Sequence, residues 1–252
     1  MTLAAAALAP LLADAACNRV EPGKLWNYEG TVGGKYRVRM TLVFQDGGRL
    51  GGVYYYASQL RDIRLRGAVT GGKDVTLEEL DSSGNVTARF IGTFPERDPG
   101  TRYGDSPLEC EVIVATWRKA DDTAGPGLPV YLFSESATSG SLQHRYGAIG
   151  VADDEVVHRR SQAFWKAVKA GDRATVAGLV QYPIFVQVDG RRTRLADPAA
   201  LLAVYDKVFT PAFRDAIARG LPRNMFVRDE GAMLGDGQVW FGASGKVIAL
   251  NN

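Results

Sequence analysis

The sequence predicts two folded regions, an all-β region of about eight antiparallel strands followed by an α+β region. Alternating apolar and polar residues, interrupted by short turns, run from Leu25 to Phe133 and are typical of an antiparallel meander. Helical periodicity with capping residues begins near Asp153. Residues 134–150 between these patterns are rich in serine and glycine, which favours a domain boundary there. The expected domains are therefore residues 16–135 and 151–252.

The strand Tyr36–Phe44 shows the clearest alternation of the first region. Its even-numbered residues are apolar and should face the interior, beginning with Tyr36, whereas Arg37 and Arg39 should point outward. The other expected strands are Leu25–Val32, Leu50–Tyr56, Ile63–Val69, Val75–Leu80, Val86–Phe94, Cys110–Trp117 and Leu128–Phe133. Because a long antiparallel sheet exposes its edges unless it closes, we predict a small up-and-down barrel or a strongly coiled sheet.

The interior of this barrel has two possible uses. Glycines on the inner face, such as Gly67 and Gly92, would permit tight curvature. In a small barrel Tyr36, Tyr54 and Phe90 would fill the interior as a packed core. The alternative is that a small apolar ligand occupies the barrel mouth.

The outer face of the barrel carries a cluster of arginines around a tyrosine. Arg37, Arg39, Arg64 and Arg66 should surround Tyr55 on three neighbouring strands. Arginine and tyrosine together are enriched at protein interfaces, and arginine can bind carboxylates in a bidentate manner. The cluster is therefore either a solvated basic surface or a binding surface for an acidic protein partner.

The amino-terminal residues resemble an export signal. An Ala/Leu-rich run reaches Leu12, and Ala13-Asp14-Ala15 has the small-x-small pattern of a cleavage site, so residues 1–15 are an expected signal peptide. The protein would then be periplasmic or secreted. Lipid anchoring through Cys17 is disfavoured because Asp14 stands where a leucine-like residue is usual.

In an oxidising compartment Cys17 and Cys110 should form a disulfide, the alternative being two buried thiols.

Composition narrows the function classes. The 252 residues carry a formal net charge of +2, which does not favour nucleic acid as a partner, and no apolar run reaches the roughly 20 residues of a membrane span. The two histidines and two cysteines do not stand at metal-ligand spacing, and no cofactor motif occurs, so we expect neither metal nor cofactor. Glu78 and Glu79 should lie on opposite faces of a strand and cannot act on one substrate together.

The second region begins with capped helices and ends in a sheet. Asp153 or Asp154 caps a helix to Ala170, Gly171 ends it, and Asp172 caps a second helix to Val180. Proline in the first turn opens helices Pro198–Val208 and Pro211–Arg219. The expected strands are Ile184–Val188, Thr193–Leu195, Asn224–Val227, Ala232–Leu234, Val239–Phe241 and Lys246–Leu250.

A family resemblance rests on short motifs of this region, namely Phe164–Val168, Gly171-Asp172, Tyr182-Pro183-Ile184, Tyr205-Asp206, Phe209-Thr210 and Gly237–Phe241. In these residues the chain from Asp153 to Asn252 resembles the nuclear transport factor 2-like family of cone-shaped α+β domains. The first region carries no such resemblance. The resemblance implies a concave pocket between helices and sheet, which some members use as isomerases, dehydratases or polyketide cyclases. Other members bind proteins or small molecules without chemistry.

The resemblance also implies which residues would line the pocket. Enzymatic members usually place an aspartate with a histidine or tyrosine in the cone, and the candidates here are Tyr182, Tyr205, Asp206 and Trp240. His158 on the first helix stands beside Arg159-Arg160, so we expect it to face water.

The sequence thus favours an exported binding protein without catalysis, with an inhibitor or immunity-type protein as the sharpest version. The alternative is a pocket enzyme, of isomerase or dehydratase type, or a ligand carrier of the cone-shaped family. Acid–base catalysis needs a positioned group with a tuned pKa, and few such groups are present. A buried carboxylate paired with tyrosine or histidine would favour the enzyme, and a filled apolar cone would favour binding.

Overall fold

The computed structural model describes Cys17 and residues 20–122, 124–229 and 231–252. The chain divides into two compact units, the first comprising residues up to 56 together with 62–137, the second comprising 57–61 and 138–252. The expected signal peptide lies outside the described residues.

The first unit is a closed antiparallel barrel, which confirms the predicted eight-stranded fold. Its strands follow one another around the barrel in sequence order. They are β1 (Leu25–Val32), β2 (Tyr36–Phe44), β3 (Arg49–Tyr56), β4 (Ile63–Thr70), β5 (Asp74–Leu80), β6 (Val86–Thr93), β7 (Val112–Lys119) and β8 (Leu128–Thr138).

The barrel interior is packed with large side chains. Tyr54 and Phe90 are fully buried, with ring centroids 5.3 Å apart in an edge-to-face arrangement. Neighbouring strands approach closely at Gly67 of β4. Any other residue there would place its Cβ atom on the carbonyl oxygen of Thr76 in β5. Tyr36 does not fill the interior as expected and is 47% exposed. Tyr36 is the first residue of β2, at the end of the barrel. Its side chain follows the inward alternation of the strand, but the ring lies at the rim and stays exposed to solvent.

A disulfide closes the opposite end of the barrel, where β2 ends and β7 begins. Cys17 and Cys110 are bonded, with a Cα–Cα distance of 5.3 Å, as predicted. The Tyr28 hydroxyl donates a 2.8 Å hydrogen bond to the Cys110 carbonyl from inside the barrel. Trp26, Phe44 and other apolar residues pack in the same core. Covalent closure and aromatic packing therefore seal this end.

The last strand of the barrel is longer than its sequence pattern indicates. β8 continues through Ser134–Thr138, which were expected to belong to the connection between domains. The Ser134 amide pairs with the Glu111 carbonyl, and Ser136 accepts a 3.2 Å hydrogen bond from Asn27. Pairing with the adjacent strands thus overrides a composition typical of a linker.

The second unit combines five α-helices and six strands among its described residues. The helices are α1 (Asp154–Ala170), α2 (Arg173–Gly178), α3 (Pro198–Ala203), α4 (Tyr205–Val208) and α5 (Pro211–Arg219). β9 (Ile184–Val188) and β10 (Arg191–Leu195) form a hairpin, and β11 (Phe226–Arg228), β12 (Gly231–Leu234), β13 (Val239–Phe241) and β14 (Val247–Leu250) form a four-stranded meander.

Capping residues determine where the helices begin. Asp153 accepts a hydrogen bond from the Glu155 amide, and Asp172 accepts one from the Thr175 amide. The single helix expected over Pro198–Val208 is interrupted at Val204, whose φ of −118° is not helical. β-Branched valine has a lower helix propensity than leucine or alanine, and its backbone leaves the helix here.

The core of the second unit is filled. Val157, Phe164 and Val168 form the buried stripe of α1 that helical periodicity predicts. Phe164 packs edge-on against Phe241 of β13, with ring centroids 5.7 Å apart. Helices and meander therefore bury one continuous apolar core.

The disulfide should stabilise the barrel chiefly by restricting its unfolded chain. A bridge across 93 residues corresponds to about 4–5 kcal/mol on the chain-entropy model. We expect the Cys17→Ser/Cys110→Ser double variant to unfold at a clearly lower temperature than the oxidised protein in calorimetry. The reduced wild type is the matched control and should behave like the variant. Equal unfolding temperatures for all three proteins would contradict this account.

Candidate functional site

The arginines predicted to bind a partner are engaged by acceptors of the same chain. Arg37 and Arg39 of β2 both pair with Glu29 of β1, at 2.5 and 3.1 Å, and Arg39 also pairs with Glu135 at 2.6 Å. Burial alone would raise the pKa of Glu29, but the two guanidinium groups outweigh burial and lower it. A partner's carboxylate would have to compete with these acids.

The other half of this surface is similarly occupied. Arg64 donates to the Asp81 carbonyl at 2.6 Å, and Arg66 pairs with Glu78 at 2.8 Å. Tyr55, expected at the centre of the arginines on the surface, is only 1% exposed. Tyr55 lies on the outer face, where it is the cross-strand neighbour of Arg39. Alternation along a strand determines which face a side chain points to but does not determine whether that side chain is exposed.

The predicted pocket residues of the second unit do not converge on one space. Tyr182 donates a 3.0 Å hydrogen bond to the Ala177 carbonyl, and burial raises its pKa to about 12. Asp206 is exposed and pairs with Arg173 at 2.8 Å. Trp240 lies on the face of β13 opposite to its buried neighbours. These side chains are distributed over the unit.

Tyr205 alone among them lies deep in the core. It is 1% exposed and stacks on Phe209 with ring centroids 4.6 Å apart. Its hydroxyl has no hydrogen-bond partner among the described residues. Burial raises the pKa of this phenol, and nearby Arg214 and Arg173 act in the opposite direction without reversing the shift. A buried hydroxyl of this kind is costly and requires an explanation.

His158 is buried, at 3% exposure, and does not face water as expected. Its Nε2 accepts a 3.3 Å hydrogen bond from the Asn224 amide, so Nδ1 carries the proton of the neutral ring and donates to Glu155 at 3.2 Å. Arg223 also pairs with Glu155, at 3.1 Å. The preceding Val157 is buried as well, since both residues belong to the core-facing side of α1. The His158 side chain of this pair is buried, whereas the Glu155 side chain is half exposed.

A polar cluster at the open end of the barrel was missed by sequence reasoning. The hydroxyl of Tyr54 donates to Glu79 at 2.5 Å, the indole Nε1–H of Trp117 donates to the same oxygen at 3.3 Å, and the Thr87 hydroxyl donates to the other oxygen at 2.9 Å. Glu78 and Glu79 do point to opposite faces of β5, as predicted. The missed signal was that Glu79 continues the inward series begun by Val75 and Leu77.

Aromatic rings surround this carboxylate. We call Tyr36, Tyr54, Tyr56, Phe90 and Trp117, together with Glu79, the aromatic end of the barrel. The Tyr54 and Tyr56 rings are 5.5 Å apart, and Tyr36 stands perpendicular to Tyr56 at 6.3 Å. Tyr36 is exposed, and Tyr56 and Trp117 are half-buried. Large apolar faces and one acid are thus presented at a single opening.

A groove of about 520 Å³ lies between β9 and β14. Its walls include Phe185, with the Arg192 guanidinium 4.3 Å from its ring centroid, and Ile248. The Asn252 side chain lies between the strands, accepting from the Gln187 amide at 3.0 Å and donating to its carbonyl at 2.8 Å. None of the predicted pocket residues lines this groove.

The Tyr205 hydroxyl should contribute nothing to stability if it has no partner. We expect Tyr205→Phe to leave the free energy of unfolding unchanged or to raise it by up to about 1 kcal/mol in urea denaturation. Tyr146→Phe is the matched control, because the Tyr146 hydroxyl is buried and accepts from the Met225 amide at 3.0 Å. That variant should lose about 1–2 kcal/mol. Equal losses in both would mean that the Tyr205 hydroxyl is hydrogen-bonded in the folded protein.

The Glu155 contacts should stabilise the second unit only where the carboxylate is charged. Burial tends to raise the pKa of Glu155, but His158 and Arg223 together lower it. A lowered folded-state pKa gives stability above the ordinary value of about 4.3 that is lost as pH falls through the folded pKa. Glu155→Gln should therefore reduce the unfolding free energy at pH 7 by about 1 kcal/mol or less, since solvent screens this half-exposed group. Urea denaturation at low pH should show no such difference, and a constant difference at both pH values would contradict the assignment.

No group of three or more metal-ligating side chains occurs in the part of the chain that the structure describes. None of the helices described there is long and apolar enough to cross a membrane. In comparisons with known proteins, no family model, no curated protein and no solved structure matches this chain.

Proposed function

We propose that this protein is an exported binding protein without catalysis and that it takes its ligand at the aromatic end of the barrel. The observation that carries the proposal is a set of exposed and half-buried rings around Glu79 at the mouth of a barrel whose interior is otherwise filled. Ligand sites typically combine apolar and aromatic walls with few polar groups, which is the composition of this opening. A packed interior below the rings confines the ligand to the mouth.

Export is supported by the disulfide, which fits an oxidising compartment outside the cytosol. The small-x-small pattern within the expected signal peptide agrees with it. We therefore propose a periplasmic or secreted protein, with Cys17 bridged to Cys110 and hence not available for a lipid.

For the second unit we propose a nuclear transport factor 2-like domain with a structural or binding role. Its order of elements, two helices, a strand hairpin, further helices and a four-stranded meander, is the order that the resemblance implies. Its filled apolar core favours binding over catalysis, because apolar side chains occupy the space between helices and meander.

The arginine cluster is a weaker candidate than the aromatic end because most of its positive charges are already paired within the chain. Arg37, Arg39 and Arg66 already form ion pairs within the chain. At the aromatic end Tyr36 is exposed and Tyr56 and Trp117 are half-buried, and Glu79 has no ion pair with a described residue. An inhibitor or immunity-type protein would bind its partner by receiving a partner side chain there. An exposed aromatic cluster is also the composition typical of interface anchors.

One observation favours the alternative of a ligand carrier or pocket enzyme of the cone-shaped family. The buried Tyr205 hydroxyl without a partner would suit a polar ligand entering the core beside Phe209. The Tyr205→Phe measurement described above tests this alternative, because a bound polar ligand would make the hydroxyl stabilising.

The binding role can be tested with an uncharged probe that fits an aromatic mouth. We expect 3,3-dimethylbutan-1-ol to shift the indole N–H resonance of Trp117 in NMR titrations, with a dissociation constant on the order of millimolar. Tyr56→Ala should weaken binding several-fold because it removes one wall. Trp240→Leu, which replaces a half-buried indole of the second unit, is the matched control and should bind normally. If neither this alcohol nor an ammonium analogue shifts the Trp117 resonance, the proposed function is wrong.

A further inference from the structure

We propose that the group bound at the aromatic end is an organic cation, a quaternary or protonated ammonium, and that Glu79 is its counter-ion. This inference rests on the proposed function and adds the chemical class of the ligand. It is carried by the hydrogen bonding of Glu79 and by the arrangement of the rings around it.

Glu79 is held by neutral hydrogen-bond donors and not by a cation of the described residues. Its donors are two hydroxyl groups and an indole N–H, all of them neutral. Among the described residues, no lysine or arginine forms an ion pair with it. A half-buried carboxylate is normally paired, since burial of an unpaired charge is costly. No described residue supplies the cation that would complete this site.

The neighbouring carboxylate, Glu78, has the cationic partners that Glu79 lacks among the described residues. It precedes Glu79 on β5, points outward, and is neutralised by Arg66 at 2.8 Å and Arg89 at 3.3 Å. These guanidinium groups lower its pKa. One strand thus carries a carboxylate balanced by cations and, beside it, a carboxylate held only by neutral donors.

The donors to Glu79 hold the carboxylate in place. Burial raises the pKa of Tyr54 far above neutrality, and its hydrogen bond to Glu79 acts in the same direction, so the phenol remains a donor. The indole of Trp117 can only donate. Tyr54 lies on β3, which pairs with β4, and Trp117 lies on β7, which pairs with β6, so both are fixed in the closed barrel. The carboxylate is therefore oriented before a ligand arrives, which lowers the entropic cost of binding.

The rings supply the second component of cation recognition. The face of an aromatic ring is negative, and a cation within about 6 Å of the centroid is attracted to it. Tyr36 and Tyr56 stand at 88° to each other and form a corner at the opening. The ammonium of Lys35 already lies 5.2 Å from the Tyr36 centroid, which shows that this ring can hold a cation. Burial raises the pKa of Tyr56, and its neighbours Glu79 and Tyr36 act in the same direction.

These features discriminate among ligand classes. A metal ion needs several hard ligands, and the described residues offer one carboxylate here. A neutral apolar ligand would use the rings but would gain nothing from Glu79. An alkylammonium group uses both, because its charge pairs with the carboxylate while its methyl or methylene groups contact the rings.

Choline and 3,3-dimethylbutan-1-ol test the inference, because they have the same shape and differ in one positive charge. We expect choline to bind about tenfold more tightly than the alcohol, measured through the Trp117 indole resonance. Glu79→Gln should remove most of this preference by weakening the binding of choline, and the rings alone account for what remains. Glu78→Gln is the matched control and should retain the preference, since its carboxylate faces the other side of β5.

A measurement on the unaltered protein covers the case in which Glu79→Gln does not fold. Raising the ionic strength from about 0.05 to about 0.5 M should weaken choline binding and leave the alcohol unaffected. Equal affinities for the two probes, or equal salt dependence, would refute the cation inference while leaving a binding site at the aromatic end. Absence of any response to either probe would instead refute the proposed function itself.

Discussion

Closure of the hydrogen-bonded ladder of the barrel is the constraint on which the rest of the first unit depends. Eight strands enclose a space just wide enough for side chains, so Tyr54, Phe90 and their neighbours fill it. A filled barrel leaves its outer face and its two ends for interactions. The disulfide and the packing around Trp26 and Phe44 occupy one end. The other end carries the exposed ring of Tyr36 and the half-buried rings of Tyr56 and Trp117.

Period-two alternation predicted most of the barrel from the sequence. The bounds of β1 and β2 agree with their patterns, because the even-numbered residues of both strands lack polar or charged side chains apart from the tyrosine hydroxyls and the Trp26 indole N–H. The errors have a common origin. Alternation specifies the face of a side chain but not what lies above that face, so Tyr36 is exposed and Tyr55 is buried against expectation. Glu79 was missed because its role depends on Tyr54 and Trp117, which are distant in sequence and adjacent only in the closed barrel.

In the second unit, capping and helical period predicted the elements but not the site. Neighbouring residues on a helix point about 100° apart, so Tyr205 enters the core while Asp206 reaches solvent and Arg173. A motif of adjacent residues therefore could not establish a shared pocket. His158 was misjudged because charged neighbours indicated water, whereas the turn of α1 directs its ring toward the Asn224 amide.

The alternation within β5 also determines how readily this protein can diverge. Val75 and Leu77 anchor the strand in the core, so the register does not depend on the carboxylate of Glu79. A shift by one residue would expose both apolar side chains and is strongly disfavoured. Exchange of Glu79 for another polar residue leaves that anchor untouched. A single replacement at this position would therefore alter the ligand preference proposed for the aromatic end, with the same scaffold retained.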